Sequence, residues 1–151
     1  MSEMLGNQYF LARNFANALI QFEKILTQEP HNNSVQKKLI ICYCEVGNVK
    51  AGLELFERVI QSNIELIAET DIVGEDCPCP ELVDRMKWYE EVASNSFDYH
   101  CILGILNLYC NTSDSISYFE KAAQMEPENK QIARILSTIE KYVTNTAAKK
   151  D

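Results

Sequence analysis

The chain has 151 residues and a formal net charge of −8, and 46% of its residues are hydrophobic. This apolar content argues against a disordered chain, and the length is enough for one domain with a buried core. The acidic balance argues against DNA or RNA binding, because cations that neutralise phosphates supply most of that affinity. No apolar run is long enough to span a bilayer. The N-terminus lacks a basic segment followed by an apolar core, so we expect a soluble cytoplasmic protein.

The first half of the chain predicts two pairs of helices. Residues 2–12 and 15–28 form the first pair, with Asn14 as a turn or cap residue between them. Residues 34–46 and 49–66 form the second pair, separated by Gly47-Asn48. The whole chain has only five Gly and four Pro and no alternation typical of strands, so we expect helices throughout.

An inserted stretch, residues 67–96, holds a loop from Asp71 to Pro80 and a helix over 81–94. Pro80 suits the first turn of that helix, where no backbone N–H is needed. At roughly 100° per residue, the apolar side chains of the helix cover an arc of about 220°, which is wider than the stripe of a surface helix. We therefore expect it to be packed on two sides, as one helix of a degenerate repeat or folded back over the other helices. Its apolar residues are Leu82, Val83, Met86, Trp88, Tyr89, Val92 and Ala93.

The last third predicts another pair, 97–110 and 114–125, and a terminal helix over 129–145. The apolar face of the terminal helix carries Ile132, Ile135, Leu136, Ile139, Tyr142 and Val143, and the other face carries Lys130, Arg134, Thr138 and Lys141. This pattern is typical of a capping helix, which covers the end of a helical array and keeps it soluble. Residues 146–151 are expected to form a frayed tail.

The first two pairs share a pattern that is offset by 34 residues, and part of it recurs in the third pair. Self-similarity at this period is typical of helical repeat arrays, whose surfaces commonly bind other proteins. The matches are Leu5 with Leu39, Tyr9 with Tyr43, Phe22 with Phe56, and Ala18, Phe22 and Pro30 with Ser115, Phe119 and Pro127.

These residues resemble the tetratricopeptide repeat, in which W-x2-L-G-x2-Y is followed by A-x3-F and then P over 34 residues. The first copy has Leu5, Gly6, Tyr9, Ala18, Phe22 and Pro30, and the third keeps Leu103, Gly104, Phe119, Ala122 and Pro127. The departures are Ser2 and Gln36 for Trp, Ile40 for Gly, Gly52 and Ser115 for Ala, and Ile64 for Pro.

The resemblance implies an all-α fold, a right-handed α-solenoid of antiparallel helix pairs with an inserted helix and a C-terminal capping helix. It implies one domain over residues 1–147, with repeats at about 1–32, 33–66 and 97–128. Gly6, Ala18 and Gly104 would be small because two helices cross closely at each of them. The implied function is a non-catalytic adaptor or scaffold, without a cofactor, that binds a peptide or helix of another protein in a concave groove.

In this family the first helix of each repeat lines the groove. The resemblance implies a partly apolar groove with Asn7 and Lys37 as orienting polar points, suited to an extended peptide or a helix. The groove positions are Asn7, Phe10, Leu11, Lys37, Ile41, Cys44, Ile105 and Leu108. The alternative is that Phe10, Ile41, Ile105 and Leu108 are covered by the chain's own inserted helix.

One sub-family uses a clamp of Lys, Arg and Asn side chains to bind the acidic C-terminal tails of chaperones. Asn7 matches one clamp position here. Glu3, however, stands where a Lys is needed, and Lys38 replaces the second Asn. Because Glu3 would repel a carboxylate, we do not expect a clamp of this kind.

The six cysteines are expected to be free thiols in a protein without a secretory signal. Cys77-Pro-Cys79 could contribute to a zinc site with His100 or Cys101, since thiolate and imidazole are natural zinc ligands. Its one-residue gap departs from the usual Cys-x2-Cys spacing. Two thiols in a proline-stiffened loop are therefore the favoured interpretation, and a thiol-based metal or redox module is an alternative.

No Gly-rich phosphate loop, nucleophile elbow or zinc-protease motif is present, so we expect no enzyme. Besides the adaptor, a second hypothesis is a self-associating structural protein, since an uncovered end of a repeat array tends to form a homodimer. The sequence leaves the partner's identity open.

Overall fold

A computed structural model describes residues 2–93 and 95–149, and within these ranges the fold consists of ten helices and no strand. The all-α prediction is therefore confirmed. The helices are α1 (Ser2–Leu11), α2 (Phe15–Gln28), α3 (Asn33–Val46), α4 (Val49–Asn63), α5 (Glu65–Ala68), α6 (Cys79–Lys87), α7 (Glu90–Ala93), α8 (Phe97–Leu108), α9 (Thr112–Met125) and α10 (Lys130–Lys149).

The helices pack into two compact units, one ending at Phe56 and the other starting at Glu57. In the first unit α1 packs on α2 and α2 packs on α3; in the second unit α8 packs on both α6 and α9, and α9 packs on α10. Aromatic and branched side chains fill each interior. Buried residues include Phe10, Phe15, Phe22 and Leu39 in the first unit, and Leu82, Leu103, Phe119, Ile132 and Ile135 in the second. The single domain over 1–147 stays a prediction.

Asparagine side chains begin most of the long helices. Each accepts a hydrogen bond from the backbone N–H three residues later, which satisfies one of the donors that a helix leaves open at its start. The caps are Asn14 (to Asn17, 3.4 Å), Asn32 (to Val35, 3.1 Å), Asn48 (to Ala51, 3.2 Å), Asn111 (to Asp114, 3.1 Å) and Asn129 (to Ile132, 3.1 Å), and Ser96 does the same for Tyr99 at 3.2 Å. These caps explain why the predicted starts lie close to the observed ones.

The turns after α1 and α3 are the same structure, 34 residues apart. Arg13 and Gly47 have left-handed backbone angles, with φ of 62° and 82°. In both turns the next N–H reaches back five residues, from Asn14 to the Tyr9 carbonyl at 2.8 Å and from Asn48 to the Tyr43 carbonyl at 2.9 Å. This is the Schellman arrangement, which closes the last turn of a helix. The 34-residue period of the sequence therefore has a local structural counterpart in the first unit.

Close helix crossing in the second unit occurs at Gly104, as predicted. A Cβ atom at Gly104 would lie 2.7 Å from Cε2 of Phe119, so only glycine allows α8 and α9 to approach this closely. Ser115, which stands at the motif's alanine position, is buried, and its hydroxyl donates to the Gly104 carbonyl at 2.6 Å. The hydroxyl is tolerated there because it has a partner.

The predicted capping helix extends further than expected. α10 runs to Lys149, beyond the predicted end at 145, and residues 150 and 151 lie outside the described residues. Ala147, Ala148 and Lys149 are strong helix formers, which explains the extension. Ile132, Ile135 and Ile139 of the predicted apolar face are buried, and Lys130, Arg134 and Lys141 of the polar face are exposed. Val143, also predicted on the apolar face, is 39% exposed, so that face is buried only over its first part.

The helix predicted over 81–94 is interrupted, and the expectation that it is packed on two sides is wrong. α6 starts at Cys79 with Pro80 in its first turn, and it buries Cys79, Leu82 and Val83. Helical bonding then tightens at Trp88 and Tyr89, whose N–H groups bond to carbonyls three residues back at 3.3 and 3.0 Å. Past Val83 the described residues of the segment, which exclude Ser94, bury no side chain, so packing no longer supports a regular helix.

Candidate functional site

Phe10 belongs to the interior of the first unit. Its ring lies 5.6 Å from that of Phe15 and 6.2 Å from that of Phe22, both in edge-to-face geometry. Such aromatic contacts add to the free energy of folding beyond the buried area alone. In this structure Phe10 therefore fills the core and offers no surface to a partner.

Three further predicted groove residues lie on α3, and all are buried. Ile41 and Cys44 are apolar core residues, and Lys37 is only 7% exposed. A lysine so deeply placed keeps its aliphatic stem against apolar neighbours. Lys37 is thus part of the packing of α3.

The two predicted groove residues of α8, Ile105 and Leu108, have no exposed surface. They lie on the helix that packs against both α6 and α9. α6, the helix of the inserted segment, is therefore a neighbour of the helix that carries them, and their place in a groove stays a prediction.

Asn7 and Leu11, the two remaining groove residues, lie at the surface of α1. Asn7 accepts a hydrogen bond from Lys38 Nζ at 2.8 Å. One turn earlier, Glu3 accepts from Asn32 Nδ2 at 3.4 Å. These two contacts join α1 to the start of α3. We call the surface formed by Glu3, Asn7, Leu11 and Lys38 the α1–α3 face.

Apolar side chains are exposed beside these polar contacts. Leu11 is 56% exposed, and Met4 is 68% exposed. Met4 and Leu11 are seven residues apart, so they project from the same side of α1, and Asn7 lies between them. An amide, an ammonium group and two apolar side chains therefore lie on one open surface, and the α1–α3 face includes Met4.

Helices α8 and α9 bury a small aromatic cluster in the second unit. The His100 ring stacks on Tyr118, with ring centres 6.1 Å apart, and meets the edge of Tyr99 at 5.5 Å. Burial raises the pKa of both tyrosines. The Tyr99 hydroxyl donates to the Met86 carbonyl at 3.4 Å, which ties α8 to the end of α6.

The cysteine pair of the inserted segment is split between two environments. Cys79 is fully buried at the start of α6, and Cys77 is half-buried in the preceding loop. Across the described part of the chain, no group of three or more His, Cys, Asp or Glu side chains is placed to hold a metal ion. Burial raises the pKa of Cys42 and Cys101 to about 12, so both are inert thiols at neutral pH.

Trp88, Tyr89 and Val92, which the apolar arc of the segment predicted to be packed, form an exposed surface. These side chains are 87%, 64% and 89% exposed. Their spacing resembles that of a buried helix, but no described residue of the segment after Val83 is buried. No signal within the segment itself marks that point.

No protein-family model matches this chain, and no curated protein is significantly similar to it. In the described ranges, none of the helices combines the length and the apolar character that crossing a membrane requires.

Proposed function

We propose that this chain is a non-catalytic adaptor that binds a peptide or helix of a partner protein on the α1–α3 face. The observation that carries this proposal is the exposure of Leu11 and Met4 beside the Asn7–Lys38 contact. Exposed apolar side chains next to fixed polar groups form the kind of surface that binds a peptide, because the former supply affinity and the latter orientation.

The resemblance to the tetratricopeptide repeat supports the same function, because that family uses the first helix of each repeat to bind partners. Asn7 and Leu11 are the groove positions of α1 that remain at the surface. In our proposal the partner lies along α1, with an apolar side chain against Leu11 and Met4. A polar group of its backbone or side chains meets Asn7, where Lys38 holds the side-chain oxygen.

Leu11→Glu is the variant that tests the proposal, with Ile20→Glu as its matched control. Ile20 is 48% exposed and lies on α2, so the control adds the same charge at a similarly exposed apolar position away from the α1–α3 face. In urea unfolding, the free energy of unfolding of both variants is expected to lie within about 0.5 kcal/mol of the wild-type value, because both positions are at the surface.

The binding measurement is capture of proteins from a source-cell extract on each immobilised variant, followed by quantitative mass spectrometry. We expect a partner that wild type and Ile20→Glu retain and that Leu11→Glu loses by at least about tenfold. Equal retention of every captured protein by all three would refute the assignment. If Leu11→Glu instead converts a dimer to a monomer in sedimentation, the α1–α3 face serves self-association and the adaptor proposal fails.

A further inference from the structure

Trp88, Tyr89 and Val92 form a continuous apolar strip on a segment that adds nothing to the core of the second unit. Hydrogen bonds from Tyr89 N to the Met86 carbonyl at 3.0 Å, and from Val92 N and Ala93 N to the Tyr89 carbonyl at 3.1 and 2.9 Å, keep the segment helical in outline. Trp88 and Tyr89 are adjacent in the turn after α6, and Val92 follows in α7, where its N–H bonds to the Tyr89 carbonyl. We call these three residues the Trp88 strip.

The fold of this segment gives no reason for three large apolar side chains to be exposed together. Single exposed apolar residues are common on protein surfaces, but adjacent large ones usually mark an interaction site. Trp88 and Val92 are almost fully open, while Leu82 and Val83 on the preceding turns are buried. The buried side of the segment therefore ends before the strip, and folding does not require aromatic residues there.

Charged residues flank the strip on both sides along the chain. Asp84, Arg85 and Lys87 precede it in α6, and Glu90 and Glu91, both exposed, follow in α7. Glu91 is exposed and directly precedes Val92, so it is an acidic group adjacent to the strip.

This arrangement favours one kind of occupant. A second copy of the chain would bring another net charge of −8 to the same place, and three side chains bury much less area than a stable dimer needs. A cation beside an exposed indole gains both from the ring face and from a neighbouring carboxylate. A partner whose lysine or arginine lies next to Glu91 of this chain therefore complements the surface.

We propose that the Trp88 strip is a docking site for a basic, amphipathic segment of another protein. An apolar side chain of that segment packs on Trp88 and Val92. Its lysine or arginine pairs with Glu91 next to the indole ring. The site lies in the second unit and shares no residue with the α1–α3 face, so it stands independently of the proposed adaptor function.

The test uses two tryptophan-free synthetic peptides of about 14 residues, roughly four helical turns. Both carry the same leucines on one face; one has lysines on the other face and the second has glutamates. Trp88 is the only tryptophan of the chain, so its fluorescence reports directly on the strip. We expect saturable binding of the lysine peptide with a blue shift of the emission, and binding of the glutamate peptide at least about tenfold weaker.

Matched variants assign the contacts. Glu91→Gln is expected to weaken lysine-peptide binding by roughly threefold to fivefold, the effect of one exposed ion pair. Glu140→Gln removes the same charge from an exposed position on α10 and should leave the affinity unchanged. Trp88→Ala, followed by calorimetry, should abolish binding while the helical circular dichroism is retained. Leu11→Glu should not change it, which separates this site from the α1–α3 face.

Four outcomes would overturn the proposal. Equal binding of both peptides would show that the strip is apolar only and has no preference for a basic partner. An unchanged emission spectrum at millimolar lysine peptide would show that nothing docks there. A Trp88-dependent dimer in sedimentation, or a blue shift with anionic lipid vesicles but not with the lysine peptide, would assign the strip to a different occupant.

Discussion

The ring of Phe22 occupies the space where a side chain at position 6 would begin. A Cβ atom at Gly6 would lie 2.6 Å from Cε1 of Phe22, and the Phe22 side chain is fully buried. The first unit therefore brings α1 and α2 together through a glycine on one helix and an aromatic ring on the other. The second unit does the same with Gly104 and Phe119.

Alanine substitution is expected to change the free energy of unfolding in one direction at Gly6 and Gly104 and in the opposite direction at Gly52. Gly6→Ala and Gly104→Ala are each expected to lower the free energy of unfolding by about 1–2 kcal/mol, because overpacking outweighs a gain in helix propensity of about 1 kcal/mol. At Gly52 a Cβ atom would meet nothing closer than the Tyr43 Cβ at 3.4 Å. Gly52→Ala should therefore stabilise the chain by up to about 1 kcal/mol. Urea unfolding followed by circular dichroism measures all three, and stabilisation by Gly6→Ala would contradict the close crossing.

Asn32 has two roles that substitution can separate. Its oxygen caps α3 and its nitrogen donates to Glu3. Asn32→Ala removes both and is expected to cost about 1 kcal/mol. Asn32→Asp keeps the cap but places a second carboxylate against Glu3, at a cost of up to about 1 kcal/mol that Glu3→Gln should remove. A double-mutant cycle in urea measures this coupling, and a coupling of zero would show that Glu3 and Asn32 do not interact in solution.

We expect the ionised Glu57 carboxylate to stabilise the folded chain, and this stabilisation to be lost at acidic pH. Arg134 binds its carboxylate through Nε at 2.7 Å and Nη2 at 3.2 Å, and these bonds hold the pKa of Glu57 below its ordinary value of 4.5. A lowered folded-state pKa stabilises the protein above the unfolded value and is lost as the pH falls through the folded one. The difference in unfolding free energy between wild type and Glu57→Gln should thus be constant above about pH 5 and shrink below pH 4.5.

Glu54→Gln provides the control for that pH series. Glu54 lies on the same helix and is exposed, so its substitution removes one charge without touching Arg134. Subtracting its effect leaves the contribution of the hydrogen bonds to Glu57, among which the bond from Arg134 lowers the pKa most. A difference between wild type and Glu57→Gln that does not vary between pH 3 and 7 would show that the contact leaves the carboxyl pKa unchanged.

The cysteines should react with iodoacetamide in an order set by burial. Cys42 and Cys101 are expected to stay unmodified in the native protein at pH 8, because burial raises their pKa to about 12. Cys110 lies at the surface, but its sulfur is turned toward the Leu106 carbonyl at 3.9 Å, and burial of the thiol raises its pKa from 9.0 to about 11.

From that shift Cys110 should react roughly 100-fold more slowly than a thiol of ordinary pKa, because the thiolate is the reactive form. Peptide mass spectrometry over time gives the rates, and the urea-unfolded chain, in which all six thiols should react alike, is the control. Rapid modification of Cys42 or Cys101 before unfolding would show that these side chains are open to solvent.

Periodic patterns and caps in the sequence predicted the helices of the three pairs well. They could not predict which faces of those helices remain open, because that depends on elements distant in the sequence. Ile105 and Leu108 are covered in a unit where α6, from an inserted segment, packs on α8. The exposure of Trp88 could not be predicted for the same reason. In sequence its segment resembles a buried helix, and only the fold shows that the side chains after Val83 are not buried.

The choice between Lys37 and Lys38 shows how finely a site depends on the fold. The two residues are one position apart, which on a helix is a rotation of about 100°. The motif indicated Lys37 as an orienting group of the groove, but the structure buries Lys37, and Lys38 donates to Asn7. The bond from Lys38 to Asn7 follows from the placement of α3 beside α1.

The contacts of Gly6 with Phe22 and of Gly104 with Phe119 also constrain how this sequence can change through evolution. Each pair shares one fixed volume between two helices, so the two positions cannot vary independently. A descendant with alanine or serine at position 6 should carry a smaller residue than phenylalanine at position 22, and positions 104 and 119 should covary in the same way. Such compensating pairs would identify distant relatives in which the rest of the repeat pattern has been lost.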